Sequence, residues 1–350
     1  MTFPSPVSVL FVGGTGTISA SSVRRAVADG MTVTVLNRGS SGSALPAEVT
    51  RLTADIHDPA SVEAALGGRT FDAVVNFLCF TAEDAQTAID LFLDRTKQYV
   101  HISTASLYGK PVLQVPITES TPVHNRFVAY SRAKIEAEKV FQRAHEELGF
   151  PVTIVRPSHT YDDANPPLPG GWNVVDRIAR GAAIPVHGDG TSLWTLTHAD
   201  DFAVGLIGLF ANPRAIGEVF HITSDDVYTW DQIYTIVADA LGTTPNLVHV
   251  PSEMFTLAAP DWGWSELFLG DLGHSAIFDN SKIRRFVPAF APRLTFHRSV
   301  LRMLAWHEAH PEATAPDAET EEILDRMVEG YERSRDVFAA LAPAPARLSA

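Results

Sequence analysis

Six short apolar runs alternate with stretches of helical periodicity over the first 157 residues. Residues 7–12, Val-Ser-Val-Leu-Phe-Val, are almost wholly apolar and rich in β-branched side chains, as a strand buried on both faces requires. Ile18, Ser22, Ala26 and Val27 then recur at helical spacing. Residues 31–36 read as a second strand, ended by Asn37-Arg38-Gly39 and followed by a Ser/Gly loop, and residues 51–54 as a third. Asp58 caps a helix through Ala65, with Pro59 suited to its first turn. Residues 71–77, 98–103 and 152–155 are the remaining strands, the last halted by Arg156-Pro157. Helices over 82–94 and roughly 129–148 lie between them. Strands and helices in alternation predict an α/β fold with a parallel sheet.

From Ser158 the texture changes. Residues 163–172 are rich in Pro, Gly and Asn and read as a loop. Short helices and strands follow without the βα rhythm, among them a strand over 219–222 and an amphipathic helix over 230–241. The expected division is a nucleotide-binding domain over 1–157 and a mainly substrate-binding region over 158–312. Segments around 196–224 are expected to return to the first domain. A C-terminal helix and frayed tail occupy 313–350.

The break after the first strand carries the first chemistry. Gly13-Gly14-Thr15-Gly16-Thr17-Ile18 lies between a strand and a helix start, where backbone N–H groups and the helix dipole favour an anion. Gly13 and Gly16 allow a tight turn and close approach to a pyrophosphate. The third position of the spacing is Ser19, small enough to lie near the strand. This predicts a doubly wound, Rossmann-type parallel sheet with a smaller mixed α/β substrate-binding region on its C-terminal side.

Composition narrows the classes. Hydrophobic residues make up 45% of the 350, enough for a real core. The net charge of -14 opposes nucleic acid or an anionic membrane as the main partner. Cys79 is the single cysteine, so no internal disulfide forms. The N-terminus lacks a basic stretch before an apolar core, and no apolar run spans a bilayer, so a cytoplasmic location is expected.

Tyr130 and Lys134 stand four apart on the long helix and so share a face. An ammonium beside a phenol favours phenolate and makes the tyrosine a candidate acid or base. The fifth strand runs into His101-Ile-Ser-Thr-Ala-Ser-Leu-Tyr-Gly109, where ligands of open α/β sheets bind. Ser103, Thr104 and Ser106 are each candidates to hold a substrate oxygen.

Together with Asp55-Ile56, Arg156-Pro157, Tyr161, Gly188-Asp-Gly190 and His198-Ala-Asp-Asp201, these motifs resemble the extended short-chain dehydrogenase/reductase family over residues 7–290. The group includes UDP-galactose 4-epimerase and nucleotide-sugar dehydratases. The resemblance implies an NAD(P) enzyme with Thr104 as the catalytic Ser/Thr, Tyr130 as acid/base, and Lys134 on the nicotinamide ribose. It implies a cofactor site of Gly13, Gly16, Thr17, Ile18, Asn37, Arg38, Asp55, Ile56, Phe77, Lys134 and Pro157, with Asp55 and Ile56 flanking adenine. It also implies a homodimer through the helix that bears the tyrosine.

The departures are informative. Ala105 and Ser106 replace the dehydratases' Asp-Glu pair, which argues against water elimination. Asn37-Arg38 replaces the usual acidic residue and leans towards NADP, since Arg38 can pair with a 2′-phosphate. Trp194 stands where nucleotide-sugar members carry an arginine for the diphosphate. This favours a free sugar, glycoside, nucleoside or cyclitol, with Ser106, His159 and Trp194 as substrate-binding residues. Trp172, Trp230, Trp262 and Trp264 are expected mostly in the core or at an interface. No metal site is expected: His307-Glu-Ala-His310 lacks zincin spacing and reads as a solvated helix end. His198 reads as a helix cap, Cys79 as an apolar filler, and Arg284-Arg285 as too short for a nucleic-acid patch. The leading expectation is a sugar epimerase working through a transient keto intermediate. The alternatives are an NADP(H)-dependent sugar or polyol reductase, and a non-catalytic dinucleotide- or RNA-binding relative.

Overall fold

The computed structural model describes residues 6–39 and 45–341. The Ser/Gly loop after Gly39, most of the N-terminal stretch and the expected frayed tail end lie outside the described residues. The chain begins β1 (Ser8–Val12), α1 (Thr17–Ala28), β2 (Thr32–Asn37), β3 (Thr50–Thr53), α2 (Pro59–Leu66), β4 (Ala73–Asn76), α3 (Ala82–Phe92), β5 (Tyr99–Ile102), α4 (Ala129–Leu148) and β6 (Val152–Pro157). Asp58 caps α2 as expected, its carboxylate accepting from the Ser61 N–H.

It continues with β7 (His159–Tyr161), α5 (Trp172–Ala179), β8 (Ala183–His187), β9 (Leu193–His198), α6 (Ala199–Gly208), β10 (Val219–Ile222), β11 (Val227–Thr229), α7 (Trp230–Leu241) and β12 (Asn246–Val250). Further helices include Ser252–Ala258, Phe296–Ala309 and Ala318–Ala340.

Seven strands form one parallel sheet in the order β10-β6-β5-β4-β1-β2-β3. The run 3-2-1-4-5-6 reverses direction between β1 and β4, the position where doubly wound sheets open a crevice for ligands. Alternation along β1 explains its apolar run. Val9 and Phe11 pack with Val23 of α1 and Phe202 and Leu206 of α6 on one face. Leu10 and Val12 pack with Val62, Ile89 and Phe141, from α2, α3 and α4, on the other. Both faces are dry, so no polar position interrupts the strand except Ser8 at its start.

The remaining strands build two small sheets, β11-β9-β7 and β12-β8, around a separate core containing Trp194, Trp230, Ile233 and Phe268. β10 lies in the large sheet beside β6, whereas β9 lies in the three-stranded one. One expectation needs correction. β6 is not halted at Val155 but runs through Arg156 and Pro157, both pairing with β10. A buried guanidinium is tolerated there because Glu138 on α4 receives it through two hydrogen bonds.

Candidate active site

The crevice at the β1/β4 reversal begins with the glycine turn. Gly13 and Gly14 have φ of 101° and 105°, the left-handed region that favours glycine. A Cβ at Gly14 would stand 2.9 Å from Val35 Cγ1. Gly16 opens α1, and Ser19 does more than fill space: its buried Oγ accepts from the Gly16 N–H at 2.9 Å.

A cavity of about 600 Å³ spreads from this turn along the strand ends. All eleven residues expected to hold the cofactor line it: Gly13, Gly16, Thr17, Ile18, Asn37, Arg38, Asp55, Ile56, Phe77, Lys134 and Pro157. Its glycine cradle at a helix N-terminus fits a dinucleotide's pyrophosphate. At the far rim Arg38 is exposed, while the Asn37 carboxamide oxygen accepts from the Gly39 N–H at 2.9 Å.

Helix α4 places Tyr130 in its first turn and Lys134 one turn on. Lys134 is 1% exposed, donates to the carbonyls of Cys79 (2.6 Å) and Ile102 (2.8 Å), and lies 4.7 Å from the Phe80 ring centroid. Burial pushes its ammonium down to about 8, with Glu138 and Asp84 among the groups opposing the shift. The ammonium is 5.7 Å from the Tyr130 ring centroid. The phenol is not lowered as the spacing suggested: burial pushes it up to about 12, and Thr104 works the other way. Tyr130 is 42% exposed, so cleft water offsets part of that rise.

The three hydroxyl candidates differ in their partners. Ser103 is buried and donates to Glu138 Oε1, which ties it to the Arg156 pair. Ser106 is held by Ser131 at 2.8 Å. Thr104 shares a 3.0 Å hydrogen bond with Ser106 and faces the cleft.

A second cavity of about 280 Å³ adjoins the first. Thr104, Tyr130, Pro157, Ser158 and Thr160 line both, so the hydroxyl and the phenol stand at their junction. The expected substrate residues Ser106, His159 and Trp194 line the second cavity, together with Trp264, Asp271 and Phe278. Among the described residues lining it, none is Arg or Lys. Asp271 is already paired with the buried Lys110 at 2.9 Å. Trp194 is 3% exposed and donates its indole N–H to His159. Trp230 is in the core, and Trp172 and Trp262 pack against it.

Sequence reasoning missed Ser158 and Thr160, although their neighbours Pro157 and His159 are expected in the site, and Asp271, whose segment meets the site only after folding. The bland readings of His198 and Cys79 match the geometry. His198 caps α6, its Nδ1 accepting from Asp200, and Cys79 is buried with its thiol pushed up to about 12. The helix end at His307 and His310 is solvated only in part: Glu308 and Ala309 are exposed, whereas the half-buried His310 stacks on Trp306 with ring centroids 4.3 Å apart and the half-buried His307 lies tilted against Trp172 at 4.8 Å. Arg284 is paired with Asp225. Among the described residues no group of three or more His, Cys, Asp or Glu side chains could hold a metal ion, and no helix is long and apolar enough to cross a membrane.

Comparison with known proteins gives this geometry its context. The model of the NAD dependent epimerase/dehydratase family matches residues 9–223. The 2'-dehydrokanamycin reductase of Streptomyces kanamyceticus is 28% identical over 292 residues, covering 81% of this chain and 80% of its own. The chloroplast stem-loop binding protein of 41 kDa b from Arabidopsis thaliana is 28% identical over 265 residues, covering 72% and 68%. The UDP-glucose 4-epimerase of Bifidobacterium longum, solved with NAD+ and UDP, superposes with a TM-score of 0.69 at 18% identity, covering 87% of this chain and 99% of that one. At that identity the likeness is one of fold.

Proposed function

The chain belongs to the NAD-dependent epimerase/dehydratase family, and from that premise we propose that it reduces a ketone, or in reverse oxidises a secondary alcohol, on a sugar-like molecule without a diphosphate. The observation that carries this reading is the junction: Thr104 and Tyr130 stand between a dinucleotide-sized crevice and a cavity with indole walls and no Arg or Lys among the described residues lining it.

In this reading the glycine turn holds the pyrophosphate, Asp55 and Ile56 flank the adenine, and Lys134 binds the nicotinamide ribose. Residues 1–157 carry the cofactor and 158–312 mainly the substrate. A nicotinamide dinucleotide held by these residues would supply hydride-transfer chemistry at a substrate carbon. Thr104 Oγ1 orients the substrate oxygen, and Tyr130 gives it a proton as general acid. A phenol pushed up rather than down is protonated at neutral pH, which suits the reductive direction. The exposed Arg38 and the half-buried Asn37 beside it, neither of them a carboxylate, support a preference for NADP.

Epimerisation through a keto intermediate would use the same pair, and the family match supports it as a second reading. It requires the intermediate to turn over while staying held. A diphosphate anchor would need cations that the described residues lining the second cavity do not supply. The name of the 2'-dehydrokanamycin reductase also favours reduction of a dehydro compound. The -14 charge weighs against an RNA-binding role. A homodimer through α4 and a cytoplasmic location complete the proposal.

The test is turnover of NADPH and NADH with keto-glycosides and with nucleotide-diphosphate keto-sugars. Tyr130→Phe should lower turnover by about 10²–10⁴-fold and leave cofactor affinity nearly unchanged. Full activity in that variant, or a clear preference for the diphosphate sugar, refutes the reading.

A further inference from the structure

The second cavity contains a coupled pair that no spacing in the chain announces. Trp194 on β9 donates its Nε1–H to Nδ1 of His159 on β7 at 3.0 Å, the two rings crossing at 80°. The strands are hydrogen-bonded neighbours, with His159 opposite Leu196, so the register brings the rings together. An indole nitrogen can only donate. The ring nitrogen that receives it therefore carries no proton.

His159 is neutral at ordinary pH, because burial pushes it down to about 4. Its ring centroid lies 6.2 Å from Trp194, 6.2 Å from Trp230 and 6.0 Å from Trp264. A neutral imidazole has one N–H. With Nδ1 committed as acceptor, that proton is on Nε2. No hydrogen bond from Nε2 is found among the described residues, and Nε2 is not among the sealed, unsatisfied atoms of the interior. The side chain lines the cavity shared by Thr104 and Tyr130.

We infer that Trp194 is a positioning residue: its N–H locks His159 into the Nε2–H tautomer, so that His159 offers one neutral donor to an acceptor oxygen of the substrate beside Tyr130. The oxygen is a hydroxyl, ether or ring oxygen; a protonated amine cannot accept at that point. The inference rests on the reading of this cavity as the substrate site. It sharpens that reading, because the tryptophan acts through the histidine rather than by stacking on the sugar.

Long-range proton–nitrogen NMR on the full chain labelled with [15N]histidine reports the tautomer directly. His159→Gln, which keeps a donor near the Nε2 position, assigns the signal among 13 histidines. Wild-type His159 should be the Nε2–H form, and Trp194→Phe should turn it into a tautomer mixture. Methyl α-D-glucopyranoside then serves as a neutral probe, titrated against the cofactor-saturated protein. It should move the His159 Nε2 signal. Trp194→Phe and His159→Leu should bind it about two- to tenfold more weakly, the worth of one neutral hydrogen bond, whereas His159→Gln should stay within about twofold. An Nδ1–H tautomer in the wild type overturns the inference without any variant. So does an unchanged tautomer in Trp194→Phe, a probe that leaves Nε2 unmoved, or wild-type binding by His159→Leu. The Tyr130→Phe turnover assay fails or succeeds independently of the tautomer, so the two readings can fall separately.

Discussion

Lys134 should titrate near pH 8 in the cofactor-free protein. The side chain is 1% exposed, and its charge is met by two carbonyl oxygens and not by a contacting carboxylate. Burial therefore dominates and lowers it from 10.5 to about 8. Between those two values the unfolded chain binds the lysine proton and the folded protein does not, so this group makes stability rise with pH across that window. Below about 8 both states are protonated and the penalty is constant. A gap of roughly 2.5 units corresponds to about 3 kcal/mol. The assay is an NMR titration of side-chain-labelled lysines, five in the chain, with Lys134→Met identifying the signal. Urea unfolding of wild type and Lys134→Met across the same pH range supplies the energy. Wild type should gain on the variant by up to about 3 kcal/mol between pH 8 and 10.5. A Lys134 signal that stays protonated above pH 10, or two stability curves that run parallel, would refute the argument from burial.

Arg38→Ala should weaken NADP binding more than NAD binding, measured as the ratio of dissociation constants; equal losses remove the 2′-phosphate role. Glu138→Ala leaves the 3% exposed Arg156 without its carboxylate and frees Ser103 and the α4 contact. It should cost about 3–5 kcal/mol in chemical denaturation, and a loss under about 1 kcal/mol would show that water or Tyr108 takes over. Replacing Arg156 by Met in the same variant should recover part of the loss.

The parts of this protein legible along the chain are those decided by neighbours a few residues apart. The spacing predicts α4 over 129–148, α7 over 230–241 and β10 over 219–222, and the structure has the same bounds. Periodicity and turn chemistry act locally, and the glycine turn, the Asp58 cap and the Tyr130/Lys134 face are local in the same sense. The alternation of strands and helices also announces the parallel sheet, whereas its order of seven strands is seen only in the fold.

What folding alone decided depends on partners distant in sequence. β6 continues through Arg156 because Glu138, on a different element, neutralises it. Tyr130 is pushed up rather than down because folding buries its phenol, which outweighs the opposing hydrogen bond of Thr104. His307 is half-buried because Trp172, from a distant helix, packs against its ring. The substrate cavity is the fullest case. Its walls come from β7, β9 and the segment around 264–278, and the hydrogen bond that orients His159 exists only through strand register. Local spacing specifies which elements form, whereas the protonation and aim of a side chain depend on the low-dielectric surroundings that only the packed structure creates.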